Sequence, residues 1–388
     1  MPSYFFEQIT SDQALAYNAT DALVFLSPTL KAANIRAIFS AGTPTSAETV
    51  SVTAEGRTVT FATGLEGEID LLLPDGSIFY IGTALANVDP RPGGTGDDAF
   101  FGNDGADRFT LGAGANFAQG NQGNDTLIGG GGADTIYGGK DNDSITTGDG
   151  ANFAQGNLGA DTITGGLAAD WIYGGQGNDL LVSGGGADYL NGNLGNDTVT
   201  GGVDGDLIFG EAGDDSLSTG AGQNTAYGGD GNDQITGGAG GDSLAGDAGL
   251  DTITGGATTP GALNSGRDFL SGGAGADRFF FAAGDSSVTA GHGDQILDWA
   301  SEDRMAFAGN AAATALTYTE MTAATYSDAL VAANAAIAAG TVNYVAVQVG
   351  GDVVVFADVP AAGNGIAEVA IILVGRALDV VDFSNFVA

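Results

Sequence analysis

The chain has no cysteine and a single histidine, His292, among its 388 residues. Disulfides are excluded, and with them multi-histidine zinc sites and the His-Glu-x-x-His metalloprotease helix. Basic residues are scarce too: 10 Lys and Arg face 48 Asp and Glu, for a formal charge of −38. Phosphate backbones repel so acidic a chain, which excludes nucleic acid as a partner. No apolar run approaches a membrane span, so a cytolysin that inserts into bilayers is not expected. The opening Met1-Pro-Ser-Tyr-Phe-Phe-Glu7 has no basic segment and no apolar run before a cleavage site, so a Sec signal is not expected. No G-x-S-x-G elbow occurs, which removes the common lipase arrangement.

What the chain has in abundance is glycine, 68 residues of it, with a strict rhythm between Gly93 and Thr254. There a nine-residue unit repeats eighteen times in phase, as in Gly120-Asn-Gln-Gly-Asn-Asp125-Thr-Leu127-Ile and Gly174-Gly-Gln-Gly-Asn-Asp179-Leu-Leu181-Val. The general form is G-G-x-G-x-D-x-U-x, with U a large apolar residue. A unit with eight extra residues (Thr258 to Ser265) then carries Asp268, and Gly272 opens a last clear copy with Asp277. This pattern resembles the RTX (repeats-in-toxin) calcium-binding nonapeptide family over residues 93–280.

The physics of the unit agrees with that resemblance. Glycines in the first six residues allow positive φ and close packing, which makes a turn. The last three residues alternate out–in–out with U inward, which makes a short strand. Two units complete one coil, and stacked coils lie about 4.8 Å apart, so the sixth-position side chains form columns. Like charges at that spacing repel by roughly 1 kcal/mol per pair even in water. A bound cation removes the conflict, and carboxylates with turn carbonyls form the all-oxygen set that suits calcium. The expected ligands are Asp98, Asp107, Asn116, Asp125, Asp134, Asp143, Asn152, Asp161, Asp170, Asp179, Asp188, Asp197, Asp206, Asp215, Asn224, Asp233, Asp242, Asp251, Asp268 and Asp277. Alternate units fall on opposite edges. One edge, from Asp107 to Asp251 and Asp277, is all aspartate, while Asn116, Asn152 and Asn224 on the other are expected to bind calcium more weakly. If each same-edge pair of turns held one ion, roughly 18 sites would bring about +36 and nearly neutralise the chain. Without calcium the repeats are expected to be disordered, so binding would be folding.

A longer period lies over the first. Gly114-Ala-Asn-Phe-Ala-Gln-Gly-Asn121 recurs letter for letter at Gly150–Asn157, and four 36-residue copies run from Leu111 to Thr254. Outward positions on one sheet carry mainly Ser and Thr, which read as ordinary strand composition. The other sheet carries Phe117, Tyr137, Phe153, Trp171, Tyr173, Tyr189, Phe209 and Tyr227. An aromatic row facing solvent marks a contact surface, although aromatics also favour strands as such.

The flanks read differently. Residues 1–92 suggest a mostly-β cap or interaction unit, with a helix opening at Ser11 and strands at Thr49–Ala54, Thr58–Thr63, Ile69–Leu73 and Ile78–Ile81. After the roll of residues 93–290, residues 291–388 suggest a cap. Ser327 would cap an Ala-rich helix ending at Gly340, and Val342–Val349 with Asp352–Phe356 would form a hairpin on Gly350-Gly351. A further strand spans Glu368–Val374, and the apolar end Val380–Ala388 is similar to the tails of type I secretion signals and reads equally as the last strand of the cap, two roles that are compatible. Gly291–Phe307 resembles the segment that closes RTX rolls; its Asp294, Asp298 and Asp303 are open between a last calcium site and a solvated turn.

The fold class expected is therefore mainly β: a right-handed parallel β-roll (β-solenoid) of calcium-binding nonapeptides with a small N-terminal β unit and a C-terminal β-rich cap with one helix. The resemblance implies multiple Ca2+ ions, the type I secretion machinery as partner and an extracellular location. No nucleophile–base pair stands out, so no catalytic activity is expected, although a carboxylate-only hydrolase stays open. The expected role is a structural protein of the cell surface or biofilm matrix that assembles with itself or with other matrix components into filaments or layers. An adhesin or ice- or glycan-binding module is the alternative.

Overall fold

The computed structural model describes residues 78–82, 94–256, 266–282, 286, 288, 293–308, 318–340, 342–358, 367 and 369–387, and the backbone of short strands before residue 73. The helix expected at Ser11 and the inserted residues 258–265 lie outside the described residues. Over the repeats the backbone is a parallel β-solenoid of about nine turns. By its contacts the chain forms two compact units, Met1–Gly184 and Gly185–Ala388. This division falls inside the repeats, since each coil of a solenoid touches only its neighbours and composition changes need not coincide with contact minima.

In the first unit, strands Ala99–Asp104, Phe117–Gln122, Thr135–Lys140, Phe153–Leu158 and Trp171–Gln176 form one parallel ladder. Arg108–Ala113, Thr126–Gly131, Ser144–Asp149, Thr162–Thr164 and Leu180–Gly184 form the other. Register advances by one coil per strand, so Phe117 faces Thr135 and Thr126 faces Ser144. The second unit continues the pattern from Tyr189–Leu194 and Thr198–Gly202. The eight-residue insertion leaves it intact, because Ser243 faces Phe269 and Thr252 faces Arg278.

Most strands are longer than three residues. Thr135–Lys140 buries both Ile136 and Gly138, so the first glycine of each unit also points inward. Its missing side chain hides it from a reading of apolar periodicity. The large inward residues, among them Leu127, Ile145, Ile163, Ile172, Leu190 and Ile208, are essentially inaccessible to solvent. This narrow file of aliphatic side chains is the core of the roll.

Among the described residues, strands continue one sheet before Ala99–Asp104 and meet both sheets at the C-terminal end, while Arg108–Ala113 is the terminal strand of the other sheet. Ile78–Ile81 pairs in parallel with Ala99–Asp104 as a further coil, and Ile69–Leu72 pairs with it antiparallel, which ends the parallel stacking. In the second unit the end of one sheet is met by Val369–Leu373, where Gln295 faces Ile372. The end of the other is met by Phe386–Val387, where Met305 faces Phe386, so the apolar tail is a closing strand. Val369–Leu373 continues antiparallel into the hairpin Tyr344–Val349 and Asp352–Ala357. The helix Tyr326–Ala338 lays Ala329, Ala333 and Ile337, one stripe at four-residue spacing, on Val345, Val347, Val354 and Phe356. Its N-cap is Thr325 and not Ser327. Thr325 Oγ1 accepts from the Asp328 N–H at 3.2 Å and donates to Asp328 Oδ2 at 2.8 Å, whereas the residue three after Ser327 is Leu330, which has no carboxylate.

The aromatic row differs from expectation in its exposure. The rings pack on one another at tilted angles: Phe101–Phe117, Phe117–Tyr137, Tyr137–Phe153 and Phe153–Tyr173 have centroids 5.3–5.9 Å apart. Phe117 is only 8% exposed, whereas Trp171 at 57% and Tyr227 at 38% stand clear. Large rings at alternating outward positions cover each other across a 4.8 Å strand spacing.

Phe307 joins the last coil to the C-terminal cap through stacking on Phe281, Tyr344 and Phe386. Replacing it by alanine is expected to cost about 3–5 kcal/mol. Urea unfolding of the calcium-saturated protein should show this as a lowered midpoint with unchanged slope.

Candidate metal centre

All twenty sixth-position residues expected as ligands are buried. Each turn places the side chain in the same way. The residue's carbonyl accepts from the strand one coil later, as when Ser144 N–H donates to Asp125 O at 2.8 Å. Its Oδ1 accepts the N–H of the sixth residue one coil earlier: Asp107 N–H donates to Asp125 Oδ1 at 2.7 Å, and Asp125 N–H to Asp143 Oδ1 at 2.8 Å. The same bond joins Asp197 to Asp215, Asp215 to Asp233 and Asp233 to Asp251. Two ladders of side-chain hydrogen bonds thus run through the turns parallel to the strand ladders.

The second oxygen behaves otherwise. Oδ2 of Asp125, Asp134, Asp143, Asp161, Asp206, Asp215, Asp233, Asp242, Asp251 and Asp277 is buried and accepts no hydrogen bond. A buried anionic oxygen without a donor is costly, so it must meet a proton or a cation. What lies beside it is a carbonyl. A Cβ built on Gly120 would collide with Asp125 Oδ2 and stand 2.6 Å from the Gly138 carbonyl oxygen. Gly228 is placed in the same way between Asp233 Oδ2 and the Gly246 oxygen, the latter at 2.7 Å. Oδ2 and a carbonyl of the next coil therefore converge on a cradle that only glycine leaves open. Among the described residues no three His, Cys, Asp or Glu side chains gather. That follows from the construction, in which each turn supplies one carboxylate and backbone carbonyls complete the set. This donor set is all hard oxygen and fits calcium. A bound ion would supply positive charge to the aspartate column and would tie each coil to the next.

The electrostatics point the same way. Burial pushes the Asp125 carboxyl up to about 7, with the neighbouring Asp107 charge adding to it. Burial raises Asp143 to about 8, reinforced by Asp125, Asp161 and Asp141. Asp134 and Asp206 rise to about 7 by burial, against the hydrogen bonds that lower them.

The ladders extend beyond the expected ligands. Ile78 N–H donates to Asp98 Oδ1, so the first coil begins before the first glycine code. At the far end Asp268 N–H donates to Asp294 Oδ1 at 3.0 Å and Asp277 N–H to Asp303 Oδ1 at 3.1 Å. Asp294 and Asp303 therefore occupy the sixth position on the two edges and are buried, not solvated. The 26-residue step from Asp268 to Asp294 repeats that from Asp242 to Asp268, a spacing that could have revealed them. Asp298 joins neither column; it accepts from Gly272 N–H at 3.0 Å and Gly273 N–H at 2.8 Å. One ladder ends on Ser286, whose hydroxyl accepts from Asp294 N–H and donates to the Ala370 carbonyl.

The model of the RTX calcium-binding nonapeptide repeat matches residues 93–258 and 264–288. The chain belongs to this family. As an RTX protein it is a calcium-binding β-roll. No curated protein sequence matches the chain. Among solved structures it is similar to the extracellular lipase LipA from Serratia marcescens, at 18% identity over 61% of this chain and 45% of that one. The chain thus spans less than half of the lipase, and at a TM-score of 0.20 the likeness carries no argument about activity.

The raised aspartates fix the sign of a pH effect. Their protons stabilise the metal-free roll fully below the unfolded value near 3.8, and that contribution is lost as pH rises through about 7. Calcium must displace these protons. Circular dichroism of the EGTA-treated chain should show more strand at pH 5 than at pH 7.5, and the calcium midpoint should tighten between those values. A midpoint independent of pH over that range would contradict the assignment.

Proposed function

We propose that this protein is a non-catalytic structural component of the cell surface or extracellular matrix, exported by type I secretion and folded by external calcium. The observation that supports this reading is the row of tilted rings on one sheet of the roll, which runs from Phe117 to Tyr173 in the first unit, with the exposed Trp171 on the same strand as Tyr173. Rings held in contact with one another lose little entropy on meeting a partner, so they form a preorganised contact face. The second unit repeats the feature in Tyr189–Phe209–Tyr227. The buried sixth-position carboxylates are committed to the turn ladders. Export suits the same chemistry: at low calcium the acidic repeats stay unfolded, and outside the cell about one ion per ordinary turn neutralises the columns. Residues 1–92 and 291–388 serve as end caps, the former also as an interaction unit.

In this reading the partner is a second copy of the chain, joined side by side into filaments or layers. Adhesion to glycans is the second reading, favoured by the exposed Trp171. Sedimentation and negative-stain imaging with EGTA and then with millimolar calcium separate the two. Filaments or sheets that need calcium, and that Trp171→Ala/Tyr173→Ala prevents while the roll still folds, support assembly. A compact monomer in calcium whose glycan binding is lost in that variant supports adhesion. A chain indifferent to calcium would sink both.

A further inference from the structure

The three asparagine turns do not fit a calcium ion. At Asn116, Asn152 and Asn224 the side-chain oxygen accepts the N–H of Asp98, Asp134 and Asp206, at 2.8 Å each. That donor fixes the amide orientation, because only the carbonyl oxygen accepts a hydrogen bond. The NH2 group must then occupy the place that the orphan Oδ2 holds in an aspartate turn. It presents hydrogens where a cation needs an oxygen lone pair.

A second substitution accompanies the first. The unit's opening glycine, which leaves the cradle open beside Asp125 or Asp233, is replaced in all three units by a side chain: Leu111, Thr147 and Thr219. All three are completely buried. In the Asn224 turn the replacement forms a relay. The Thr219 hydroxyl donates to the Gly237 carbonyl, the next-coil oxygen that converges on the cradle in an aspartate turn. It accepts from Asn224 Nδ2–H at 3.1 Å. The chain N–H···O–H···O=C thereby spans the cradle with covalent parts of the protein. In the Asn152 turn the amide donates to the Gly150 carbonyl at 2.7 Å and the Gly148 carbonyl at 3.2 Å, while Asn116 donates to Gly114 O at 3.1 Å below an apolar Leu111. The amides of Asn116 and Asn152 thus satisfy carbonyls of their own turn, and Asn224 Nδ2 donates, besides Thr219, to Asp242 Oδ1 at 3.1 Å.

We infer that the turns of Leu111/Asn116, Thr147/Asn152 and Thr219/Asn224 bind no calcium and are closed by their own side chains. These turns are not weak sites, as the neutral ligand alone suggested, but sites replaced by protein. All three lie on one edge of the roll. Asn116 and Asn152 in the first unit and Asn224 in the second interrupt the calcium column on that edge, while the other edge of each unit is all aspartate, and the loaded protein stays more acidic than a full complement of ions would leave it. The inference rests on calcium occupying the aspartate turns.

Calcium bound per chain, measured by mass spectrometry of the metal after equilibrium dialysis at saturating calcium, tests it. Thr219→Gly/Asn224→Asp restores the glycine–aspartate pair and should bind one more ion than the wild type. Asp215→Asn, in an ordinary turn, should bind at least one fewer, which shows that the count resolves a single turn. An unchanged count in the double variant, beside a reduced count in Asp215→Asn, would overturn the inference. Should the double variant not fold, anomalous difference maps of calcium-loaded wild-type crystals decide. Peaks beside Asp215 and Asp233 with none beside Asn152 or Asn224 uphold the inference, and a peak coordinated by either asparagine overturns it. Absence of calcium from every turn would overturn the calcium reading itself, a separate outcome.

Discussion

Everything in this chain depends on one hydrogen bond, from the backbone N–H of a sixth-position residue to the Oδ1 of its equivalent one coil on. It fixes which way the side chain faces, and so determines where the second oxygen points. Because it uses the backbone, it also holds successive coils in register without any contribution from the variable positions. A parallel sheet of such short strands has few apolar contacts per residue, and the turn ladders supply the rigidity that a wider core would give. The consequence is a column of buried acids whose charge must be answered, and answering it makes the fold conditional on its surroundings. Stability and responsiveness come from the same atoms.

Much of this was legible in the sequence because each nonapeptide carries its own instructions. Glycine marks the turn, Asp125 or Asp215 the ladder, and Leu127 or Leu217 the inward face. What was not legible depends on relations between coils. The sequence shows asparagine at 116, 152 and 224, but only the N–H arriving from the neighbouring coil determines which amide atom faces the cradle. Ile78–Ile81 joins the roll with no glycine code to announce it, since its strand borrows the Oδ1 of Asp98. Asp294 and Asp303 were hidden because each follows its neighbour in the ladder by 26 residues instead of 18. The aromatic positions could be assigned to one sheet, yet their mutual cover is a matter of ring size against strand spacing. Thr325 took the helix cap from Ser327 because Asp328 stood at the right distance from only one of them.

The two edges of the roll differ in how they are held. One has the same chemistry in every unit from Asp107 to Asp277. The other mixes carboxylate turns, including Asp170, Asp188 and Asp206, with the three turns that carry asparagine. The 36-residue period of the sequence is followed by the asparagine turns and their small inward residues Ala118, Ala154 and Ala226 in three of its four copies, while the copy opened by Ser183 keeps Asp188 and the large Leu190.

The insertion before Asp268 shows how the roll measures length. Eight additional residues leave the strands on either side in register, with Ser243 facing Phe269 and Thr252 facing Arg278. Phase along such a chain is counted in coils and not in residues. Loss or gain of 18 residues within the repeats would therefore be silent apart from length. Loss of nine would exchange the two sheets and the two edges beyond the cut, so that threonines continued the row of rings and asparagine turns fell in line with the unbroken aspartates. A solenoid of this kind can grow or shrink by recombination, but only in even steps if its faces are to keep their identities.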